Sequence, residues 1–234
     1  YGVEKNAGQA VAWFHKAAEQ GNVESFYRLG IAYANGNGVT KNDAEATQWI
    51  KKAAAKDHRE AQILLGWMYH QGLGVSKDYD QALFWLEKVS DENNLLIQIS
   101  LGVLYFWKRN LELSEKHLRK ALAISPKNTN VHANLGFLMF DRQRFDEALK
   151  FFDQALKSGS NADTLAGKAI TLAALNRAEE ALKNYRDAVT LDPRYMDCQK
   201  LINENFWSEP ACQTARPIIQ QIQETATQES SEEN

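Results

Sequence analysis

The chain has 234 residues, 44% of them apolar, a formal net charge of −3 and only two cysteines. That is enough apolar material for a continuous core, yet no apolar run is long enough to span a bilayer. Four acids and no base fall between Glu224 and Asn234, so the body is near neutral. This excludes the strongly basic footprint of a nucleic-acid binder, and two cysteines exclude a disulfide framework or a cysteine metal site.

A fixed step runs through the first half. Gly30, Gly66 and Gly102 are 36 residues apart, as are Gly2, Gly38 and Gly74, and Trp13, Trp49 and Trp85. A period of this size means stacked units of supersecondary structure. Residues 1–23 read as a loop and one amphipathic helix, with Ala10, Trp13, Phe14, Ala17 and Ala18 on one face and Gly21 ending it. This is the second half of a repeat, so the chain is expected to be cut from a longer protein, and Trp13 and Phe14 to form a bare edge open to self-association.

Residues 24–58 supply a whole repeat. A first helix carries Phe26, Leu29, Ile31 and Tyr33. The turn Gly36-Asn37-Gly38-Val39 follows, and a second helix carries Ala46, Trp49, Ile50, Ala53 and Ala54. Residues 59–93 repeat this pattern, with Gly72-Leu73-Gly74-Val75 as the turn. Gly38 and Gly74 are expected at positive φ, which glycine adopts without steric cost. Gly30 and Gly66 should let the two helices of a repeat approach closely.

Ala61, Leu65, Gly66, Tyr69, Gly72, Gly74, Val75, Asp78, Ala82 and Trp85 together resemble the Sel-one-like repeat, a relative of the tetratricopeptide repeat. After Gly102 the spacing shortens and the glycine turn is replaced by Lys108-Arg109-Asn110 and Arg142-Gln143-Arg144. Residues 94–193 resemble three ordinary tetratricopeptide repeats. Their marks are Leu101, Gly102, Tyr105, Leu118, Ala121 and Pro126, then Leu135, Gly136, Ala148, Phe152 and Ala155, then Leu172, Ala181, Tyr185, Ala188 and Pro193. Ser114 and Lys168 depart from the pattern, and Lys168 puts the packing of its helix in question. The resemblance implies an all-α fold, a right-handed α–α superhelix of antiparallel helix pairs.

Residues 194–227 are expected to cap the array. Met196, Leu201 and Ile202 fall in one helix, and Ile218, Ile219 and Ile222 in a second that starts at Ser208-Glu209-Pro210 and is kinked or interrupted at Pro217. Residues 228–234 read as a disordered acidic tail. The domain boundaries are therefore 1–93, 94–193, 194–227 and 228–234.

Catalytic chemistry is not indicated, and no cofactor or metal is called for. His15, His58, His70, His117 and His132 lie in different repeats, none paired at i, i+4 as on a zinc helix. The acids Asp146-Glu147 and Glu179-Glu180 open helices, where they favour the positive end of the dipole. The Gly-x-Gly turns lack the preceding strand and following lysine of a phosphate loop.

The resemblance points instead to the inner wall, where first helices face a concave groove. Carried over, the groove positions hold Tyr27, Ile31, Ile63, Trp67, His70, Leu96, Ile99, Val103, Phe106, Ala133, Phe137, Phe140, Ala166 and Ile170. The list is apolar and aromatic, and four half-exposed aromatics would make a patch of roughly 300–500 Å², a size that usually marks an interaction site. The carboxylate clamp of chaperone-binding relatives is absent: its positions hold Ile99, Val103, Asn134, Asp163 and Gly167, of which only Asn134 fits.

The leading expectation is a non-enzymatic scaffold that binds a protein or peptide in this groove, anchored by Trp67 and Phe106. The alternatives are a spacer with a filled groove, or the regulatory part of a larger protein. Cys198 and Cys212 are read as two separate small core residues of a reduced, cytoplasmic protein in preference to a disulfide of a bacterial periplasmic one.

Overall fold

The computed structural model describes residues 6–89, 91, 93–203 and 207–232, and all its regular elements are helices. The chain forms two compact units, Tyr1–Leu104 and Tyr105–Asn234. They divide inside one unbroken helix and not at the expected 93/94 boundary, because a helix need not end where a repeat period changes.

In the first unit, α1 (Ala7–Glu19) is followed by the pairs α2 (Val23–Asn35) with α3 (Asp43–Ala54), and α4 (Arg59–Gln71) with α5 (Tyr79–Lys88), and then by the start of α6 (Leu95–Trp107). Asn6, Asn22, Asn42 and Asp78 begin helices: each side chain accepts a bond from the N–H three residues on, satisfying a donor that the helix leaves open. Within a pair the helices are close because Gly66 has no side chain; a Cβ there would stand 2.8 Å from Leu86 Cγ. Ala46, Ile50, Ala53, Leu65 and Met68 form a buried core, with Tyr33, Tyr69 and Trp85 packed on it from successive repeats.

Gly38 and Gly74 have φ of 77° and 65°, in the left-handed region anticipated from the sequence. Their surroundings add a second constraint. A Cβ at Gly74 would drive into the Asp43 carbonyl, and one at Gly38 into the Ala7 carbonyl. The turn of each repeat thus sits on the first turn of the preceding repeat's second helix. Thr47 closes the contact, its hydroxyl 2.8 Å from Asp43 O and 3.0 Å from Leu73 O.

The second unit contains α7 (Leu111–Ile124), α8 (Thr129–Asp141), α9 (Phe145–Leu156), α10 (Ala162–Ala174) and α11 (Ala178–Leu191). Here Arg109, Gln143 and Asn176 hold the left-handed turn position without glycine, at φ near 60°. Lys168 does not disturb α10. Its ammonium reaches Asp153 Oδ1 at 2.8 Å, while Ala166, Ala169, Ile170 and Leu172 are buried. Ser114 is fully buried in the place of the usual alanine.

The C-terminal cap differs from expectation in four ways. Met196 lies in a short 3-10 helix (Pro193–Met196), separate from α12 (Cys198–Asn203). The final helix α13 (Glu209–Glu232) runs through Pro217 without interruption. Proline removes one backbone hydrogen bond there, but Ala211, Cys212, Ala215, Ile218 and Ile219 remain buried on one side of the helix. The same helix continues over 228–232, where a disordered tail was expected; that stretch holds neither glycine nor proline. Residues 233–234 lie outside the described residues, as does Gly2. Finally, Cys198 and Cys212 are not separate core residues. They form a disulfide between α12 and α13, with Cα atoms 5.3 Å apart.

Two measurements follow from these contacts. Gly72, at φ 75°, has room for a side chain, since the nearest atom to an added Cβ is 3.4 Å away. Gly72→Ala should therefore cost only the left-handed backbone penalty, about 1–2 kcal/mol. Gly74→Ala adds the clash with Asp43 and should cost a further 1–3 kcal/mol or so; urea unfolding of the two variants reads the difference directly. The disulfide closes a loop of about 15 residues, for which the chain-entropy model gives roughly 3 kcal/mol. Urea unfolding with and without reductant should show a loss of that order, and equal stability in both would contradict it.

Candidate functional site

The first unit carries a cavity of about 420 Å³ on its inner wall, lined by Tyr27, Ile31, Glu60, Ile63, Leu64, Trp67, Leu86, Leu96, Ile97 and Ser100. Helical spacing builds it. Residues 60, 63, 64 and 67 lie on one stripe of α4, since side chains three and four apart share a face. Residues 27 and 31 form the matching stripe of α2, and 96, 97 and 100 that of α6. The lining is nearly all apolar, but it is not sealed: Trp67 is 46% exposed and Leu96 62%.

One wall is held from behind. The Tyr27 ring stacks on His58 with centroids 4.6 Å apart. His58 caps α4: its Nδ1 accepts from the Ala61 N–H at 3.3 Å, so its Nε2–H is left to donate to Glu24 at 3.0 Å. Glu24 also takes the Arg28 guanidinium, and the bonds from His58 and Arg28 hold its carboxyl below the usual carboxylate range.

Of the anticipated groove positions, Tyr27, Ile31, Ile63, Trp67 and Leu96 meet at this cavity. His70 does not. Its ring packs on Tyr79, with centroids 5.9 Å apart, and burial, helped by Lys77, lowers its pKa. Ile99 and Val103 are half-buried on α6 outside the lining. Glu60, Leu64, Leu86, Ile97 and Ser100 were missed. Counting only the family's groove positions omits the neighbour one helical turn away, which the period of 3.6 would have supplied.

In the second unit the carried-over positions lie differently. Phe106 is half-buried with its ring against Trp107, and Phe137 sits edge-on to Phe152, with centroids 5.0 Å apart. Phe140 and Ile170 are 3% and 0% exposed, so neither offers a surface to a partner. This corrects their assignment to an open groove. α13 packs against α8 and α10, the helices that carry them, and the Phe140 ring also meets Phe145 of α9. Ser208 fixes α13 in place. Its hydroxyl donates to Asp141 Oδ1 at 2.6 Å and accepts from the Ala211 N–H, while Arg109 takes the other Asp141 oxygen. Trp207 is buried beside the rings of Tyr185 and Tyr195. The clamp positions Asp163 and Gly167 are also occupied, Asp163 by the Tyr195 hydroxyl and Gly167 by the rings of Phe152 and Phe137.

The remaining histidines serve local packing. His15 meets Tyr33 and Trp49, His117 stacks on Tyr105, and His132 bonds the Asn128 carbonyl. Among the described residues no three His, Cys, Asp or Glu side chains stand where they could share a metal ion. None of their helices is long and apolar enough to cross a membrane.

Comparison with known families agrees with the two repeat types. The Sel1 repeat matches residues 1–22, 24–58 and 59–94, and two tetratricopeptide repeat families match residues 108–169 and 162–195. This chain belongs to the Sel1-like and tetratricopeptide repeat proteins. Proteins with these repeats are in general protein-interaction scaffolds rather than catalysts. No curated protein sequence matches the chain.

Solved structures share the fold at low identity. The Sel1 repeat protein from Oxalobacter formigenes is 22% identical, with a TM-score of 0.54 over 92% of this chain and 94% of that one. YrrB, described as a TPR protein with an unusual peptide-binding site, is 20% identical, with a TM-score of 0.61 over 81% of this chain and 97% of its own. The protective antigen c5321 of uropathogenic Escherichia coli, described as having an SLR fold, is 22% identical. Its TM-score is 0.51 over 94% of this chain and 64% of that one.

Proposed function

We propose that this repeat protein is a scaffold whose Sel1-like unit binds a peptide or helix of another protein in the cavity between α2, α4 and α6. The observation that carries the reading is the half-open Trp67 at the mouth of an apolar cavity of about 420 Å³. A large indole left half in water beside Leu96 gains free energy when a partner's apolar side chain covers both. Such aromatic anchors dominate interface energetics, whereas scattered exposed apolar residues do not. The cavity is walled by helices and not by loops, so little ordering entropy is lost on binding.

The tetratricopeptide unit supports a different role. With Phe140 and Ile170 buried and α13 lying on α8 and α10, its inner wall is better suited to hold shape than to take a ligand. In this reading peptide recognition falls on the first unit, with Trp67 as its anchor.

The test is a titration. A partner captured by the chain and identified by mass spectrometry should bind Trp67→Ala about 30-fold more weakly, the equivalent of roughly 2 kcal/mol. Phe140→Leu, at a buried position of the second unit, should leave affinity unchanged. An unaltered affinity of a folded Trp67→Ala variant would contradict the proposal.

A further inference from the structure

Among the described residues of the cavity lining, Glu60 is the one charged side chain. Its repeat equivalent 36 residues earlier is Glu24, and the two differ in their partners. Glu24 is bound by Arg28, one helical turn on, at 2.5 Å, and by His58. The residue equivalent to Arg28 in the next repeat is Leu64, so Glu60 has no cation at i+4. The neighbouring Arg59 turns away to Asp91, at 2.6 Å. Among the described residues Glu60 pairs with His58 Nδ1, at 3.3 Å, and that nitrogen also accepts the Ala61 N–H. No lysine or arginine among the described residues pairs with Glu60, whose side chain is 63% exposed at the edge of the apolar cavity.

From this geometry we infer the chemistry of the partner, building on the peptide-binding reading above: the bound segment presents a lysine or arginine to Glu60 and a large apolar side chain to Trp67. The two positions are seven residues apart on one stripe of α4, roughly 10 Å along the helix axis. An extended segment spans that distance in three residues and a helical one in seven. The long aliphatic stem of the basic residue would lie along Leu64 and Ile63, with its charge at the carboxylate. Charge complementarity of this kind sets register and partner choice as well as affinity. The arrangement also disfavours acidic segments, since Glu60 and Glu24 both stand at the same end of the wall.

The inference can be tested with a random dodecapeptide phage library panned on the full chain, keeping clones whose binding is lost on Trp67→Ala. These should be enriched in Lys or Arg three or seven residues from Leu, Phe, Met or Trp. Panning on Glu60→Lys should replace the basic residue with Asp or Glu. A synthetic peptide from the first selection should bind Glu60→Gln about ten-fold more weakly, as expected for loss of a charge-assisted bond, and bind Glu179→Gln, at an exposed acid of α11 in the second unit, with little change. Trp67-dependent clones without basic enrichment, or affinity unaltered by Glu60→Gln, would overturn the assignment of partner chemistry while leaving the groove standing. Recovery of no Trp67-dependent clone would overturn both.

Discussion

The first unit depends on a backbone-to-backbone contact. The turn at Gly74 lies directly on the Asp43 carbonyl, and Thr47 ties the two with its hydroxyl. Side chains adapt to one another within tenths of an ångström, but two backbones in contact permit one register only. That contact fixes how far each helix pair is displaced from the one before it. It thereby sets the separation of α2 and α4, and so the spacing of Tyr27 and Trp67 on the wall. The cavity follows from the spacing of the repeats, and its apolar lining from which residues happen to face it.

The second unit reaches order by other means. Its turns carry Arg109, Gln143 and Asn176 at left-handed positions, a conformation that costs non-glycine residues of order 1 kcal/mol each. One of these residues gives a contact in return. Arg109 pairs with Asp141, while Arg119, Arg142 and Arg144 converge on Glu115. Partial burial would raise the Glu115 carboxyl, but the three guanidiniums outweigh it and hold it below its usual value. The cap then closes the inner wall, with a disulfide, a serine–aspartate bond and a buried tryptophan holding α12 and α13. One unit thus exposes its apolar wall and the other covers it.

How much of this could be read in the chain depends on the range of each interaction. The helix pairs, the Gly74 turn and the aromatic residues of the wall were legible, because each rests on local spacing: a period of 36, a Gly-x-Gly turn, a stripe at three and four residues. Phe140 and Ile170 were misplaced because the packing of their helices includes α13, and the bond from Ser208 to Asp141 spans 67 residues with no local signal. The disulfide was placed second to two separate core residues because two cysteines 14 residues apart carry no geometry until the hairpin between them is known. Leu64 was missed for a smaller reason: a family's list of groove positions is shorter than the face of a helix. Glu60 escaped notice because an acid in a first turn already has an adequate explanation in the helix dipole.

The central claim is that the apolar wall is open in the Sel1-like unit and closed in the tetratricopeptide unit. A repeat array can hold shape and bind at once if the two tasks fall on different units, and the difference in exposure between Trp67 and Ile170 expresses that division. Hydroxyl-radical footprinting of the intact chain, read residue by residue by mass spectrometry, measures it most directly. The account predicts rapid oxidation of Trp67 and Leu96 together with protection of Phe140 and Ile170. Protection of Trp67 and Leu96 in the free protein, or oxidation of Phe140 and Ile170 at comparable rates, would contradict it.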